Sequence, residues 1–448
     1  MNQTFMKEKN ILPLVLSMSL PMVISMAVNS LYNIVDSYFV AKLSEDAMTA
    51  LSLVYPVQNL ITAIGVGFGI GINACVAFYL GAEDELCANK ATSQGIVLSI
   101  VHGIILTIIS IAGMSAFLRM FSSDENILNM ALTYSYRAFA FSVIITLGIA
   151  FEKIFQSVGK MKISMVSMIC GLVVNIVLDP LMIFGIGFFP RLEIAGAAYA
   201  TGIGQTVSLL VYAAAYIKGL LPVKIGRRYL HPDRKLILRV YAVGIPATLS
   251  MALPSLLISA LNGILAGFSQ TYVLVLGVYY KLQTFIYLTA NGIIQGIRPL
   301  IGYNYGAGQI ERVNKIFNVS LRLTVAVMTV GTILSWAVPG DLIGLFTSNP
   351  QTISIGISAL HIISIGFIVS AVSITVSGVL EGLGKGKESL YISLSRYIVI
   401  IIPAAFLLSM ILGAKGVWSS FFIAEFITAA FSYFMYKREM KRIILCRT

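Results

Sequence analysis

Long apolar runs separated by short polar segments follow one another along almost the whole chain. An α-helix that rises 1.5 Å per residue crosses a hydrocarbon core of about 30 Å in about 20 residues. Twelve runs reach that length, at roughly 15–41, 48–78, 93–117, 131–155, 163–187, 194–217, 237–268, 272–299, 316–338, 354–380, 389–412 and 416–436. The pattern therefore predicts an all-α polytopic membrane protein with twelve transmembrane helices.

The composition indicates a surface that faces lipid. Only 11% of the residues are charged and 58% are hydrophobic, whereas about a quarter of a soluble domain is charged. The net charge of +12 does not indicate nucleic-acid binding, because Lys and Arg form no basic arm. They concentrate in alternate short segments, among them Lys7, Lys90, Lys160, Lys385, Arg396 and the stretch 218–239. The positive-inside rule makes these segments cytoplasmic, so we expect a multi-pass plasma-membrane protein with both termini in the cytoplasm.

The two halves of the chain repeat one another. Sliding the sequence along itself by one constant offset aligns Pro21 with Pro246, Gln58 with Gln283, Gly71 with Gly296, and Gly159-Lys160 with Gly384-Lys385. Because six predicted helices separate equivalent points, both halves enter the membrane in the same orientation. We therefore expect two homologous six-helix lobes, residues 1–217 and 237–448, joined by a cytoplasmic basic linker at 218–236. Such a parallel repeat has a pseudo-two-fold axis along the membrane normal and suits alternating access.

Two acidic residues lie inside predicted spans of the first half. Asp36 is on helix one, and Asp179 lies four residues after Asn175 on helix five, so these two share a helix face. Thr201 on helix six is expected at a similar depth. Two carboxylates, an amide and a hydroxyl offer oxygen ligands for a proton or a small cation such as Na⁺, and buried charges in membranes often mark such sites. The alternative is that each carboxylate only hydrogen-bonds a neighbouring helix.

The second half does not duplicate this cluster, since the repeat pairs Asp36 with Leu261 and Asp179 with Ala404. It carries Lys281 in helix eight and Glu425 in helix twelve, both expected near mid-membrane. An unpaired lysine there is costly, so we predict that the two pair, either beside a substrate or proton path or only as a structural ion pair. Snorkelling of Lys281 towards the surface is a further alternative.

Polar residues at equivalent points of helices two and eight are candidates for the lining of a central cleft. They are Tyr55, Gln58, Tyr280 and Gln283, and helix packing explains them equally well. The chain has no P-loop lysine motif, so we expect transport driven by an ion gradient. We expect no cofactor and no metal beyond H⁺ or Na⁺, and no enzymatic activity.

Several segments resemble the multidrug and toxic compound extrusion (MATE) transporters, and within that family the bacterial multidrug exporters. They are helix one with Pro21 and Asp36, the glycine-rich second helix that ends at Gly81-Ala82, its echo GYNYGAGQIERVNK, and NIVLDPLMIFG followed by GAAYAT. The resemblance implies twelve helices in two lobes and a monomer. It also implies that Asp36, Asn175, Asp179 and Thr201 match a cation site of some relatives, and that Pro21 matches a proline where helix one bends.

Residues and resemblance together predict a secondary active antiporter. It would export amphipathic, often cationic, organic compounds, driven by inward H⁺ or Na⁺ movement. The alternatives are a flippase for lipids or lipid-linked precursors, which would need a cationic cleft, and an exporter of one metabolite. A membrane-embedded enzyme is disfavoured because no cluster of His and carboxylates is present, and a passive channel is disfavoured by the two large lobes.

Overall fold

The computed structural model describes residues 4–445, apart from the side chain of Asn33. The helices are α1 (Phe5–Glu8), α2 (Ile11–Leu43), α3 (Glu45–Gly81), α4 (Glu85–Arg119), α5 (Glu125–Ala140), α6 (Ser142–Ser157), α7 (Met161–Phe184), α8 (Ile194–Ile217), α9 (Arg234–Ala266), α10 (Gln270–Gly306), α11 (Ile310–Ala337), α12 (Pro339–Gly344), α13 (Pro350–Ser364), α14 (Phe367–Gly382), α15 (Gly386–Leu394), α16 (Ile402–Leu412) and α17 (Ala414–Leu445). A 3₁₀ turn covers Arg227–Tyr229 in the predicted linker, and a π-helical segment, Ser395–Ile401, joins α15 to α16.

Within residues 4–445, ten spans are long and apolar enough to cross a membrane. Two bent helix pairs bring the number to twelve: α5 with α6 at 46°, and α13 with α14 at 55°. This count confirms the predicted all-α, twelve-span architecture.

The two bends lie at equivalent points of the repeat. Phe141 separates α5 from α6, and Gly366, which the repeat aligns with Phe141, precedes α14. At the first bend the Phe141 ring packs against Gly202 of α8. At the second bend the small residue, Gly366, lies at the bend, and the large residue, Phe422, lies on the facing helix α17. A Cβ on Gly366 would lie 3.0 Å from the Cα of Phe422. Each bend thus places one large and one small residue in contact, and the two halves use opposite partners.

The described chain forms two compact units. Unit 1 comprises Ile24–Thr248, and unit 2 comprises Thr4–Val23 together with the chain from Leu249 onwards. They differ from the predicted lobes in two segments, because Thr4–Val23 belongs to unit 2 and the start of α9 belongs to unit 1. Each boundary comes two residues after a proline, at Pro21 in α2 and at Pro246 in α9.

Glycines allow the two exchanged segments, Thr4–Val23 in unit 2 and the start of α9 in unit 1, to pack closely inside their units. In unit 2, a Cβ on Gly296 of α10 would lie 2.6 Å from the Cα of Ser19 on α2. In unit 1, a Cβ on the equivalent Gly71 of α3 would overlap the backbone carbonyl of Val240 on α9. Only glycine permits backbones to approach this closely in a helix bundle. Glycines at equivalent positions of the two halves therefore permit both contacts.

Each unit has its own apolar core. In unit 2 the core surrounds Trp418, Phe421, Tyr279 and Phe367, all less than 5% exposed. In unit 1 two clusters, one around Tyr134 and Phe139 and another around Phe155 and Tyr212, pack the helices that carry the acidic residues. The candidate site of unit 1 therefore lies on helices that are held in place by packing.

Candidate functional site

Three helices of unit 1 bring the predicted acidic cluster together. Asp36 projects from α2, Asn175 and Asp179 from α7, and Thr201 from α8. All four are buried: Asp179 is fully inaccessible, Asn175 is 2% exposed, and Asp36 and Thr201 are 9% exposed.

Asn175 connects Asp179 with Thr201. Its amide nitrogen lies 3.3 Å from Asp179 Oδ1 and 3.4 Å from Thr201 Oγ1. With the amide turned over, its nitrogen donates to Asp179 Oδ2 at 3.2 Å and its oxygen accepts from the Thr201 backbone N–H at 3.0 Å. In either orientation a bridge runs from the carboxyl group on α7 to α8. The i, i+4 spacing of Asn175 and Asp179 creates the first half of this bridge.

Tyr32 is a member of the cluster that the sequence analysis did not identify. Its hydroxyl lies 3.1 Å from Thr201 Oγ1. The signal was present, because Tyr32 is four residues before Asp36 and so shares its helix face. Tyr134 of α5 adds a second phenol, which lies close enough to both carboxyl groups and to Gln58 to interact with them electrostatically.

The two carboxyl groups interact with one another electrostatically. In the described part of the chain neither forms an ion pair with Lys or Arg, and Asp36 Oδ1 is buried without a hydrogen-bond partner. No group of three or more His, Cys, Asp or Glu side chains that could hold a metal ion occurs among these residues. A cation at this position would therefore take neutral oxygens from Asn175, Thr201 or Tyr32 besides carboxylate. Oxygen ligands of this kind suit a proton or a hard cation.

The predicted pairing of Lys281 with Glu425 is wrong. Glu425 on α17 forms its ion pair with Arg396, and both side chains are buried, at 5% and 8% exposure. Lys281 is exposed, and its Nζ lies 5.7 Å from the centre of the Phe346 ring. Arg396 was predicted to be one of the cytoplasmic basic residues. The structure instead places it ten residues after the start of α15, inside the π-helical segment.

The predicted cleft-lining residues occupy different environments. Tyr55 is 58% exposed, whereas Gln58, Tyr280 and Gln283 are half-buried. Gln58 reaches the acidic cluster through Tyr134, and Tyr280 lies beside Phe421 with ring centres 6.4 Å apart. A role in lining a cleft stays a prediction. Pro21 is buried within α2, and the bending of this helix also stays a prediction.

Comparison with known proteins gives the same assignment over most of the chain. The MatE family model matches residues 21–181 and again 246–407, two stretches that begin at the aligned prolines Pro21 and Pro246. The multidrug export protein MepA of Staphylococcus haemolyticus is 26% identical over 96% of this chain and 94% of its own length. MepA of Staphylococcus aureus strain MRSA252 is 26% identical over 92% and 90%.

Solved structures share the fold. A MATE transporter in its bent conformation superposes with a TM-score of 0.94 and 23% identity, covering 100% of this chain and 99% of that one. A transporter of the MOP superfamily from Pyrococcus furiosus gives a TM-score of 0.92 at 23% identity, with 99% of both chains covered. The repeat, the twelve spans and the family match together show that this chain belongs to the MatE family of multidrug and toxic compound extrusion transporters.

Proposed function

We propose that the chain is a secondary active antiporter that exports amphipathic, often cationic, organic compounds in exchange for H⁺ or Na⁺ moving inward. The observation that carries the proposal is the pair Asp36 and Asp179, two buried carboxyl groups with no Lys or Arg partner in the described chain. Burying a carboxylate without a counter-ion is costly, so a mobile cation or proton stabilises this site. The MepA relatives, named as multidrug export proteins, support organic compounds as the exported class.

Coupling requires that the cation changes the preference of the protein between its two access states. Asp36 and Asp179 project from different helices, and Asn175 and Tyr32 tie both helices to Thr201 on a third. Neutralising the carboxyl groups removes their mutual repulsion, and this favours one arrangement of the three helices over another. A ligand shifts such an equilibrium only by its unequal affinity for the two states. Cation binding at Asp36 would then promote substrate release, and both ligands would alternate.

We further propose that the protein works as a monomer in the plasma membrane, with both termini cytoplasmic and with no cofactor besides the coupling ion. The distribution of Lys and Arg supports this orientation. Its partners would be small organic substrates and the lipid bilayer.

The test is efflux of ethidium from proteoliposomes under an imposed pH gradient and, separately, an imposed sodium gradient. Asp36→Asn removes the titratable group while keeping its shape, and Glu45→Gln is the matched control, because Glu45 is an exposed carboxylate at the start of α3. We expect one gradient to drive efflux in the wild type and in Glu45→Gln, and neither gradient to drive it in Asp36→Asn.

Unchanged gradient-driven efflux by folded Asp36→Asn would contradict the assignment of the coupling site. If well-folded wild type shows no gradient-dependent efflux at all, the hypothesis that it exports many different organic compounds fails. A single metabolite or a lipid then becomes the substrate to test.

A further inference from the structure

A second polar cluster lies inside unit 2, where α10, α17 and the π-helical segment meet. At its centre is the ion pair of Arg396 and Glu425. Three buried polar atoms here have no hydrogen-bond partner within residues 4–445: Arg396 Nε, Glu425 Oε2 and the Tyr280 hydroxyl. Tyr280 belongs to the same cluster, because its ring packs against Phe421, which lies one turn before Glu425 on α17. Buried polar groups are nearly always hydrogen-bonded, so one donor, one acceptor and one hydroxyl left over together indicate a polar ligand.

Aromatic side chains surround the ion pair. The ring centre of Tyr280 lies 6.4 Å from that of Phe421, and Tyr287 lies 5.8 Å from Phe367. The guanidinium carbon of Arg396 lies 5.3 Å from the centre of the Tyr397 ring. The three tyrosines are partly exposed, whereas Arg396 and Glu425 are more than nine-tenths buried. The charges therefore lie beneath an aromatic rim, which suits a flat ring system.

The backbone around the pair departs from regular α-helix on two sides. Arg396 lies in a π-helical stretch of seven residues, and Pro403, two positions beyond the end of that stretch, has no N–H to donate. On another side Gly366, at the bend between α13 and α14, faces Glu425, because a Cβ there would lie 3.0 Å from Glu425 Cγ. Short π-helical stretches inside α-helices are rare and are frequent at functional sites.

Helix packing alone does not require these charges. The repeat places Gly171 of unit 1 at the position of Arg396 and, after a small difference in loop length, Gln205 at the position of Glu425. There the two helices meet directly, since a Cβ on Gly171 would lie 2.6 Å from the carbonyl oxygen of Gly204. A buried ion pair is also weak support for stability, because the cost of desolvating both charges offsets most of their attraction. The pair in unit 2 therefore calls for a role other than holding two helices together.

We propose that Arg396, Glu425 and Tyr280 form a second ligand site, which binds planar aromatic zwitterions. The guanidinium takes the carboxylate of the ligand, since its planar fork matches carboxylate geometry. The free Glu425 oxygen accepts a hydrogen bond from a cationic N–H group of the ligand, and the ring system lies against the tyrosines. A simple organic cation gains little here, because the ion pair is neutral as a whole and Arg396 repels it. The inference rests on the proposed function only in taking such compounds as transport substrates.

The test compares binding of two dyes that differ in one group. Rhodamine 110 carries a free carboxylate and a delocalised cationic amine, and rhodamine 123 is its methyl ester and a cation only. Fluorescence anisotropy with purified full-length protein in detergent measures both affinities without any ion gradient. We expect wild type to prefer rhodamine 110, and Arg396→Gln to weaken rhodamine 110 by about tenfold or more while changing rhodamine 123 little.

Arg298→Gln is the matched control, because the half-buried Arg298 forms another ion pair of unit 2, with Nε 2.7 Å from Oε2 of the buried Glu381. It should leave the ratio of the two affinities unchanged. If Arg396→Gln does not fold, the double variant Arg396→Met/Glu425→Met removes both charges together and leaves none unpaired. It should also lose the preference for rhodamine 110.

The proposal is overturned if folded wild type shows no preference for rhodamine 110, or if the preference survives in Arg396→Gln or in the double variant. An equal loss in Arg298→Gln would show that any buried ion pair has this effect, and would overturn it as well. Asp36→Asn separates this inference from the proposed function, because it abolishes gradient-driven efflux but should keep the preference for rhodamine 110.

Discussion

Replacement of Gly171 by alanine should damage both the packing of α7 on α8 and the acidic cluster. Gly171 lies one turn before Asn175 on α7, and it faces Gly204, which lies three residues after Thr201 on α8. A Cβ on Gly171 would lie 2.6 Å from the Gly204 carbonyl oxygen, whereas ordinary contacts begin at 3.4 Å, so the helices must separate locally by about 0.8 Å. The obstacle is backbone and cannot rotate away.

The magnitude follows from two opposing effects. Overpacking against a fixed group costs about 1–3 kcal/mol. Replacing a helical glycine by alanine contributes about 0.5–1 kcal/mol in the other direction. The first effect dominates, so we expect a net loss of roughly 1–2 kcal/mol in the free energy of unfolding. The bonds from Asn175 to Thr201, already 3.4 Å in one amide orientation, would lengthen beyond hydrogen-bond distance.

The assay is reversible unfolding in mixed micelles together with ethidium efflux. Gly148→Ala is the matched control, since Gly148 lies within α6 of the same unit and a Cβ there meets nothing within 4 Å. It should be neutral or slightly stabilising, with normal efflux. Equal stability and equal efflux of Gly171→Ala and Gly148→Ala would refute this prediction, because the helices would then tolerate the added methyl group.

Three further predictions concern single contacts. Glu425→Gln should lower the free energy of unfolding by about 3–5 kcal/mol, because it leaves the buried Arg396 without its partner. Lys281→Met should leave the free energy of unfolding unchanged, and similar effects of the two variants would contradict the ion pair of Glu425 with Arg396. Tyr32→Phe removes the hydroxyl bonded to Thr201 and should cost about 1 kcal/mol together with part of the efflux rate, and normal stability and efflux would exclude Tyr32 from the cluster. Ser364→Ala removes the hydroxyl that accepts a hydrogen bond from the Trp336 indole at 3.0 Å, so tryptophan emission should shift, and an unchanged spectrum would contradict this contact.

The fold was largely predictable because its signals extend over many residues. Twelve apolar runs of membrane length, and an offset between the halves that stays constant over more than a hundred residues, are long-range properties that local ambiguity does not obscure. The bends at Phe141 and Gly366 were not predicted. Their residues differ between the halves, and the break depends on a contact with another helix that no local pattern encodes. The exchange of helix segments between units was missed for the same reason.

The candidate site was predictable where its residues share a helix. Asn175 and Asp179 were identified by their spacing, and Asp36 by its cost inside an apolar span. Tyr32 was missed because a tyrosine in an apolar helix costs little and so does not stand out. Arg396 was predicted on the cytoplasmic side because it lies close to the start of its predicted helix. The sequence also contains no pattern that predicts the π-helical segment.

The exchange at α2 and α9 bears on how the chain is made and how it arose. Unit 2 is not one contiguous piece of chain, because Thr4–Val23 completes a unit whose other residues begin only at Leu249. During synthesis the segment Thr4–Val23 can therefore pack into unit 2 only after the ribosome has made the helices that follow Leu249. If the chain is divided within the segment 218–236, the N-terminal fragment lacks the start of α9 and the C-terminal fragment lacks Thr4–Val23. The two fragments should therefore assemble only when they are expressed together. An ancestor with a single six-helix chain would have needed to form a dimer. In that dimer each copy would have placed the first half of its first helix in the other copy, as in domain-swapped dimers.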